Sequence, residues 1–122
     1  FMPYAPLANG LLTGKYSAAA PAPEDSRLGK NMWNLANRYL TEDKLQLAES
    51  LGRFAADRSH TLLELAISWL LSKPLVCSVI GGATKPEQVA TNVAAGTGWR
   101  LGPEELVEVD RICRESRRDH RN

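Results

Sequence analysis

The stretch Val76–Asn92 combines an apolar segment, two glycines and the start of a helix. Val76–Ile80 is rich in β-branched residues and predicts a buried strand. Gly81 and Gly82 lack a Cβ atom, so a ligand or another backbone segment can approach them closely. The residues of Thr84–Glu87 fit the S/T-x-x-E capping pattern, and the N–H groups at such a helix start favour an anion, often a phosphate. The stretch therefore predicts an anion-binding turn.

Two amide side chains follow this turn on one helix face. Gln88 and Asn92 are four residues apart, so both point toward the same side of the predicted helix. Lys85 lies at the positive end of the helix dipole, where a cation is unfavourable unless it serves a ligand. The alternative is an ordinary strand–turn–helix connection of an α/β protein. Short glycine motifs recur by chance, so the spacing alone supports both interpretations about equally.

The composition is that of one small globular domain. The chain has 122 residues, of which 43% are hydrophobic and 24% charged, and its net charge is +1. This balance gives no argument for a nucleic-acid or membrane partner. No segment has the length of a transmembrane helix and no signal peptide is visible, which favours a cytoplasmic location. Cys77 and Cys113 have no metal-ligand spacing, so we expect no metal site and no disulfide framework.

The rest of the chain alternates between extended, loop and helical patterns. Phe1–Tyr4 predicts a second strand, and residues 17–30, which are polar and contain two prolines, predict a mobile loop. Other segments are predicted as a helical turn at Leu11–Gly14, a short helix at Trp33–Tyr39, helices capped by Thr41 and by the Thr61–Glu64 box, and a last helix from Pro103.

The order of these elements predicts a parallel α/β arrangement. Two strands alone would leave both sheet edges open and could not cover the helix after Thr61, which is apolar nearly all round. We therefore expect residues 1–122 to be a single partial domain, a piece of a larger sheet or barrel. The abrupt start with a strand predicts further chain upstream. The open edges predict self-association.

Two sequence blocks and one helix resemble the aldo-keto reductase family. Tyr4–Tyr16 is similar to its pattern Y-S-P-L-A-x-G-x-L-T-G-K-Y, and Val79–Asn92 is similar to V-I-P-G-A-R/S-x-x-E-Q-x-x-E-N. Ala66–Leu71 resembles the A-L-A-W-L-L helix that lies between them. The resemblance implies the C-terminal part of a (β/α)8 TIM barrel, about the last two β/α units plus a C-terminal helix.

This resemblance implies an NADP-dependent oxidoreductase that reduces aldehydes or ketones to alcohols. The cofactor would be NADP(H), and the partner a small carbonyl substrate. The residues that the resemblance assigns to the cofactor are Tyr4 at the nicotinamide ring, Ala5, Pro6, Leu7, Ala8 and Asn9 around the pyrophosphate and ribose, Lys15 and Arg27 at the phosphates, Gly82 and Thr84 at the 2′-phosphate, and Gln88 and Asn92 at the adenine.

The sequence departs from the family pattern at several positions. Thr84 stands where members often have Arg, so that Lys85 would have to supply the charge for a 2′-phosphate. The family's catalytic residues belong to earlier strands, and Tyr16, Tyr39, His60 and His120 do not match them. We therefore expect no catalytic residue in this chain. The alternative function is a truncated or degenerate, non-catalytic nucleotide-binding or interaction module.

Overall fold

The computed structural model describes residues 1–119 and shows a largely helical molecule. Within that range, no helix is both long and apolar enough to cross a lipid bilayer. The elements in chain order are two 3₁₀ helices at Ala8–Thr13 and Met32–Asn34, followed by α1 at Leu35–Tyr39, α2 at Glu42–Ala56, α3 at Leu62–Leu71, α4 at Pro86–Thr97 and α5 at Pro103–Asp119. His120, which the sequence excludes from a catalytic role, lies outside the described residues.

The two predicted strands lie side by side and run parallel. We call Phe1–Tyr4 and Leu75–Ile80 the first and second extended segments. Cys77 N donates to Phe1 O at 3.1 Å and Ile80 N donates to Pro3 O at 2.9 Å. Tyr4 and Ile80 form a parallel bridge. The parallel pairing agrees with the prediction.

The prediction of regular strands is wrong for the described residues, where these segments form only that isolated bridge. Pro3 has no N–H group to donate to a ladder. Neither segment has a second strand beside it within residues 1–119, so the cooperative hydrogen bonding of a sheet does not develop.

The core lies between α2, α3, α5 and the first 3₁₀ helix. Helix α3 packs against α2, α4 and Ala8–Thr13, which confirms that its apolar surface is buried on more than one side. Ser68 of α3 is buried, and its hydroxyl donates to Trp99 O at 2.5 Å, which ties the connection between α4 and α5 to the core. The buried apolar residues that pack together in this core are Leu11, Tyr16, Leu28, Leu45, Ala48, Phe54, Ala55, Leu62, Leu65 and Val109.

The two predicted threonine caps have different outcomes. The Thr61 box is confirmed, because Glu64 N donates to Thr61 Oγ1 at 3.2 Å and Thr61 N donates to Glu64 Oε2 at 2.6 Å. Thr41 precedes α2 in an extended conformation, but its hydroxyl makes no capping bond. That Oγ1 atom is buried without a hydrogen-bond partner in the described part of the chain. The position of the helix start was predictable there, whereas the side-chain cap was wrong.

The second half of residues 17–30 is attached to the core of the protein. Leu28 is 1% exposed and its N–H donates to the hydroxyl of buried Tyr16 at 3.4 Å. Ser26 Oγ donates to Pro23 O at 2.6 Å and accepts from Gly29 N at 3.0 Å. This half of the segment therefore has a defined attachment to the core. The mobility of the segment stays a prediction.

We expect Gly29→Ala to unfold this anchor. A Cβ atom at position 29 would lie 2.0 Å from Pro23 O, which is far inside van der Waals contact and involves backbone on the opposing side. The substitution should lower the free energy of unfolding by about 2 kcal/mol or more. The matched control is Gly52→Ala in α2, where a Cβ atom meets nothing within 4 Å. There the stability should rise by about 0.5–1 kcal/mol, because alanine favours a helix interior. Urea unfolding followed by circular dichroism measures both, and equal effects would contradict the steric argument.

The Thr61–Glu64 box predicts a pH-dependent stability. The hydrogen bond from Thr61 N, and to a smaller extent the charge of His60, hold the pKa of Glu64 below its ordinary value of 4.5. Because the folded pKa is depressed, this stabilisation is present above the unfolded pKa and is lost as the pH falls through the folded pKa. Glu64→Gln keeps an acceptor but does not titrate. The free energy of unfolding of the wild type should therefore fall relative to that of Glu64→Gln as the pH is lowered from 7 to 3. Parallel stability curves across that range would rule this contribution out.

Candidate functional site

The Tyr4–Ile80 bridge joins the two sequence blocks that carry the candidate residues. Because the extended segments are parallel, the turn after Tyr4 and the turn after Ile80 leave from the same end of the pair. Ligands in parallel α/β proteins bind at this carboxyl end. The structure thus places Ala5–Asn9 and Gly81–Thr84 at one edge, although more than seventy residues of chain separate them.

The turn after Tyr4 has an unusual backbone. Ala5, Ala8 and Asn9 have φ angles of 54°, 48° and 58°, and Gly10 follows at 101°. Left-handed conformations are uncommon in residues other than glycine, and each costs on the order of 1–3 kcal/mol. The turn is closed by hydrogen bonds from Ala8 N to Ala5 O at 3.0 Å and from Gly10 N to Leu7 O at 2.9 Å. Such turns are typical of functional sites, and Asn31, Trp33 and Asn34 form a second group of left-handed residues just before α1.

Two cations lie beside this turn. Arg27 Nη1 donates to Asn9 Oδ1 at 3.3 Å, and Arg27 itself lies between the buried residues Ser26 and Leu28. Lys15 Cε is 3.6 Å from the position that a Cβ atom of Gly10 would take. The side chains of Lys15 and Arg27 are exposed. The structure therefore brings together Asn9, Lys15 and Arg27, which the sequence assigns to the same ligand region.

The helix after the glycines begins differently from the prediction. Helix α4 starts at Pro86 with Lys85 as its N-cap, so the predicted Thr84–Glu87 capping box is wrong. Proline is favoured at the first helical position, which shifts the start by one residue. Gln88 then occupies the third helical position, and its Oε1 accepts from Thr84 N at 2.7 Å and from Lys85 N at 3.3 Å.

This arrangement changes the role of Gln88. Its amide oxygen also accepts from Thr84 Oγ1 at 3.2 Å, so it occupies the donors that the sequence assigns to an anion. An anion at this helix start would compete with the Gln88 oxygen. The exposed Lys85 side chain is the group at this end of α4 that offers a positive charge to an anion.

Gly81, Gly82 and Asn92 form the other part of the candidate site. Asn92 Nδ2 donates to Gly82 O at 3.3 Å, and a Cβ atom on Gly81 would lie 3.2 Å from the same nitrogen. At Gly82 a Cβ atom would meet nothing within 4 Å. Gly81 therefore makes room for a side chain of the protein, whereas Gly82 borders open space that a ligand can occupy.

An apolar cavity of about 280 Å³ lies behind the first extended segment, next to Tyr4. It separates that segment from α2, α3 and α5, and sequence analysis did not predict it. Its apolar lining comes from three helices that are distant from one another in sequence, so no single sequence motif indicates the cavity. The lining residues include Pro3, Tyr4, Leu51, Leu65, Trp69 and Val109.

The other tyrosine and histidine side chains within residues 1–119 are engaged with groups of the protein itself. The Tyr16 hydroxyl bonds Leu28 N inside the core. The Tyr39 ring lies beside the cations of Arg38 and Lys44. The His60 ring stacks on Trp99 with a centroid distance of 4.3 Å. Residues 1–119 also contain no group of three His, Cys, Asp or Glu side chains that could hold a metal ion.

Parallel extended segments with turns at their carboxyl ends are typical of α/β proteins, which bind their ligands at that edge. The chain belongs to the aldo/keto reductase family, whose sequence profile matches residues 1–114. The resemblance seen in the sequence is thereby confirmed.

Individual relatives share substantial identity with this chain. It is similar to an L-glyceraldehyde 3-phosphate reductase of Escherichia coli O157:H7, with 39% identity over 110 residues, covering 88% of this chain and 31% of the relative. It is also similar to a probable voltage-gated potassium channel subunit beta of Arabidopsis thaliana, with 46% identity over 93 residues, covering 75% of this chain and 28% of the relative. The chain thus spans less than a third of the length of these relatives.

The fold of this chain is also similar to that of a solved structure. The structure of a glycerol dehydrogenase from Gluconobacter oxydans superposes with a TM-score of 0.69 and 29% identity, covering 93% of this chain and 33% of that chain. This neighbour is a TIM barrel of the same family. The arrangement of helices and extended segments in this chain therefore matches part of such a barrel.

We expect substitutions of Gln88 to show how much its capping hydrogen bonds stabilise the start of α4. Gln88→Ala removes the acceptor for Thr84 N and Lys85 N and should lower the free energy of unfolding by about 0.5–2 kcal/mol. Gln88→Glu keeps an acceptor at the positive end of α4 and should preserve stability. Thermal unfolding by circular dichroism measures both variants. An alanine variant as stable as the wild type would show that the observed hydrogen bonds do not hold the helix start.

Proposed function

We propose that this chain is the cofactor-binding, C-terminal portion of an NADP-dependent reductase that converts aldehydes or ketones to alcohols. In this proposal its fold is about the last two β/α units of a (β/α)8 barrel plus the C-terminal helix. The observation that carries the proposal is the Tyr4–Ile80 bridge, because it brings both family motifs to one edge. Family membership and the reductase and dehydrogenase relatives support the reaction class.

The residues at this edge fit a dinucleotide. Lys15 and Arg27 offer exposed positive charge beside the strained turn, where phosphate groups would be neutralised. Gly82 borders open space, which allows close approach of a ligand to the backbone. Tyr4 is 83% exposed and presents a flat aromatic ring at the end of the first extended segment. A ring of this kind can stack on a nicotinamide.

The contribution of this chain would be binding and orientation. NADPH, when bound, supplies a hydride to the carbonyl carbon of the substrate. Tyr4 would hold the nicotinamide end, Ala5–Asn9 would follow the pyrophosphate and ribose, and Asn92 would border the adenine end. The proton donor of the reaction is expected from the earlier strands of the family barrel. We also propose a cytoplasmic location.

The preference for NADPH over NADH would depend on the start of α4. Thr84 offers a hydroxyl and Lys85 a charge, and both are exposed there. Because Gln88 already satisfies the local N–H donors, a 2′-phosphate would be held by the side chains more than by the helix start. Lys85 is therefore the residue on which the preference would rest.

A non-catalytic nucleotide-binding module is the second candidate function. The observation that favours it is that Tyr16, Tyr39 and His60 are each engaged with other groups of the protein. A module of this kind would use the same cofactor contacts. It would differ from the first candidate only in lacking turnover.

Calorimetric titration with NADPH and NADH tests the proposed site. We expect Lys15→Ala and Arg27→Ala each to weaken NADPH binding on the order of tenfold, because each removes a charge-assisted contact to a phosphate. Arg100→Ala, which removes an exposed cation from the connection between α4 and α5, is the matched control and should leave binding unchanged. Lys85→Ala should reduce the ratio of the NADPH and NADH affinities toward one.

The outcomes separate the candidates. Absence of binding by a chain that circular dichroism shows to be folded would contradict both cofactor proposals. Oxidation of NADPH with small aldehydes once the earlier strands of the barrel are supplied together with this chain would favour the reductase, whereas binding without oxidation in that case would favour the non-catalytic module.

A further inference from the structure

The turn after the first extended segment contains Asn9–Gly10, an asparagine followed by a glycine. Asparagine is a thermolabile residue, because the backbone nitrogen of the next residue can attack the amide carbon of its side chain. A glycine at that next position has no Cβ atom to crowd the attacking nitrogen. The other asparagines that are followed by a residue precede methionine, leucine, arginine or valine. The sequence therefore hinders this attack least at Asn9.

The closed turn holds this pair in a conformation that resists the attack. Gly10 N donates to Leu7 O at 2.9 Å, and Thr13 Oγ1 donates to Gly10 O at 2.7 Å. The attacking nitrogen must lose its proton and turn toward the side chain, so the hydrogen bond to Leu7 O has to break first. The Asn9 side chain is held as well, because its Oδ1 accepts from Arg27 Nη1 at 3.3 Å. Reaction at Asn9 therefore requires that the turn first opens.

The strain of this turn favours its opening. Ala5, Ala8 and Asn9 have positive φ angles without being glycine, and this strain is released when the turn detaches. A hydrogen bond from an exposed side chain such as that of Arg27 contributes little net free energy, so it opposes the opening only in part. Local opening of a loop requires less free energy than global unfolding. The Asn9–Gly10 pair therefore lies where an open conformation is reached without unfolding of the helical core.

We propose that Asn9 is a site of spontaneous deamidation that is controlled by the opening of this turn. In the open turn Gly10 N forms a bond to Asn9 Cγ, the bond from Cγ to Nδ2 breaks, and the side-chain nitrogen leaves as ammonia with the proton of Gly10 N. Water then opens the five-membered imide and leaves an aspartate or an isoaspartate at position 9. Nothing is oxidised or reduced, and water is the one co-reactant that the reaction consumes.

Deamidation replaces a neutral amide by a carboxylate beside two cations. The carboxylate would form an ion pair with Arg27, whose guanidinium already contacts the side chain at this position. It would also repel the phosphate groups that Lys15 and Arg27 hold in the proposed function, and this consequence rests on that proposal. The modification would thus lower the affinity of the edge for an anionic ligand, and a ligand that keeps the turn closed would slow the modification.

Peptide mapping by mass spectrometry of the native chain at neutral pH, with no ligand added, tests the modification. Conversion at Asn9 should be faster by about tenfold or more than at Asn31 and Asn34, which precede methionine and leucine. These two residues are internal controls, because they also have positive φ angles and their side chains are exposed. Conversion at Asn9 that is no faster than at the two controls would overturn the proposal.

The role of the turn is tested by comparing rates of conversion. In concentrated urea the rate at Asn9 should rise, because the hydrogen bond from Gly10 N is lost. Arg27→Ala should also raise the rate severalfold in the native chain, since it frees the Asn9 side chain. Arg100→Ala, which removes an exposed cation from the connection between α4 and α5, is the matched control and should leave the rate unchanged. Equal rates in the native and the unfolded chain would overturn the control by the turn.

Calorimetric titration of Asn9→Asp with NADPH tests the effect on binding. We expect binding about tenfold weaker than that of the wild type, because the new carboxylate competes with the phosphates for Arg27. Gln46→Glu makes the same charge change on α2, beside the groove that this helix forms with α5, and should leave binding unchanged. An Asn9→Asp variant that binds as tightly as the wild type would overturn this effect. A wild type that does not bind NADPH would contradict the proposed function instead, because the rates of deamidation are measured without ligand.

Discussion

The parallel pairing of Tyr4 with Ile80 is the contact on which the candidate site depends. It is maintained by few direct hydrogen bonds, and the helices supply most of the order around it. Helix α3 is held in the core on several sides, and the chain leaves its end at Leu71 to enter the second extended segment four residues later. The first 3₁₀ helix packs on the same α3 and fixes the end of the first extended segment. The site geometry is thus inherited from helix packing.

Gln88 illustrates how one side chain serves stability and constrains binding together. Its amide oxygen satisfies the donors that a helix start would otherwise offer to an anion. The structure therefore holds an internal acceptor where the sequence pattern indicates an external one. Any anionic group that binds there must replace this acceptor or bind through Thr84 and Lys85. The affinity of this edge for a phosphate would therefore depend on that competition and not on the helix dipole alone.

Features that depend on a few neighbouring residues were predictable from the sequence. The Thr61–Glu64 box is local, because its donors and acceptors lie within one helical turn, and it has the predicted form. The Thr84–Glu87 box failed because the same pattern overlaps Pro86, whose preference for the first helical position moved the start to give Gln88 the capping role. The sequence alone does not show which of these two overlapping signals decides where the helix begins.

Features that depend on distant contacts were predictable only in part. The parallel direction of the extended segments follows from the order of elements. Their pairing through a single bridge does not, because it depends on whether further strands lie beside them. The family resemblance assigns Arg27 and Asn9 to the same cofactor but predicts no contact between them. The hydrogen bond that joins them depends on the loop, in which Ser26 and Leu28 are buried on either side of Arg27. The apolar cavity behind Tyr4 had no sequence signal, because three helices and one segment each contribute a few residues to it.

The left-handed turn at Ala5–Gly10 has a consequence for how the molecule opens. Three non-glycine residues in this conformation together hold strain comparable to a substantial part of the 5–15 kcal/mol that stabilises a typical domain. A segment that stores strain of this size relaxes when it detaches, so its local unfolding requires less free energy than that of the helical core. The turn is therefore an expected point of subglobal opening. A ligand that binds it would stabilise the least stable part of the chain and narrow the range of open states that the protein samples.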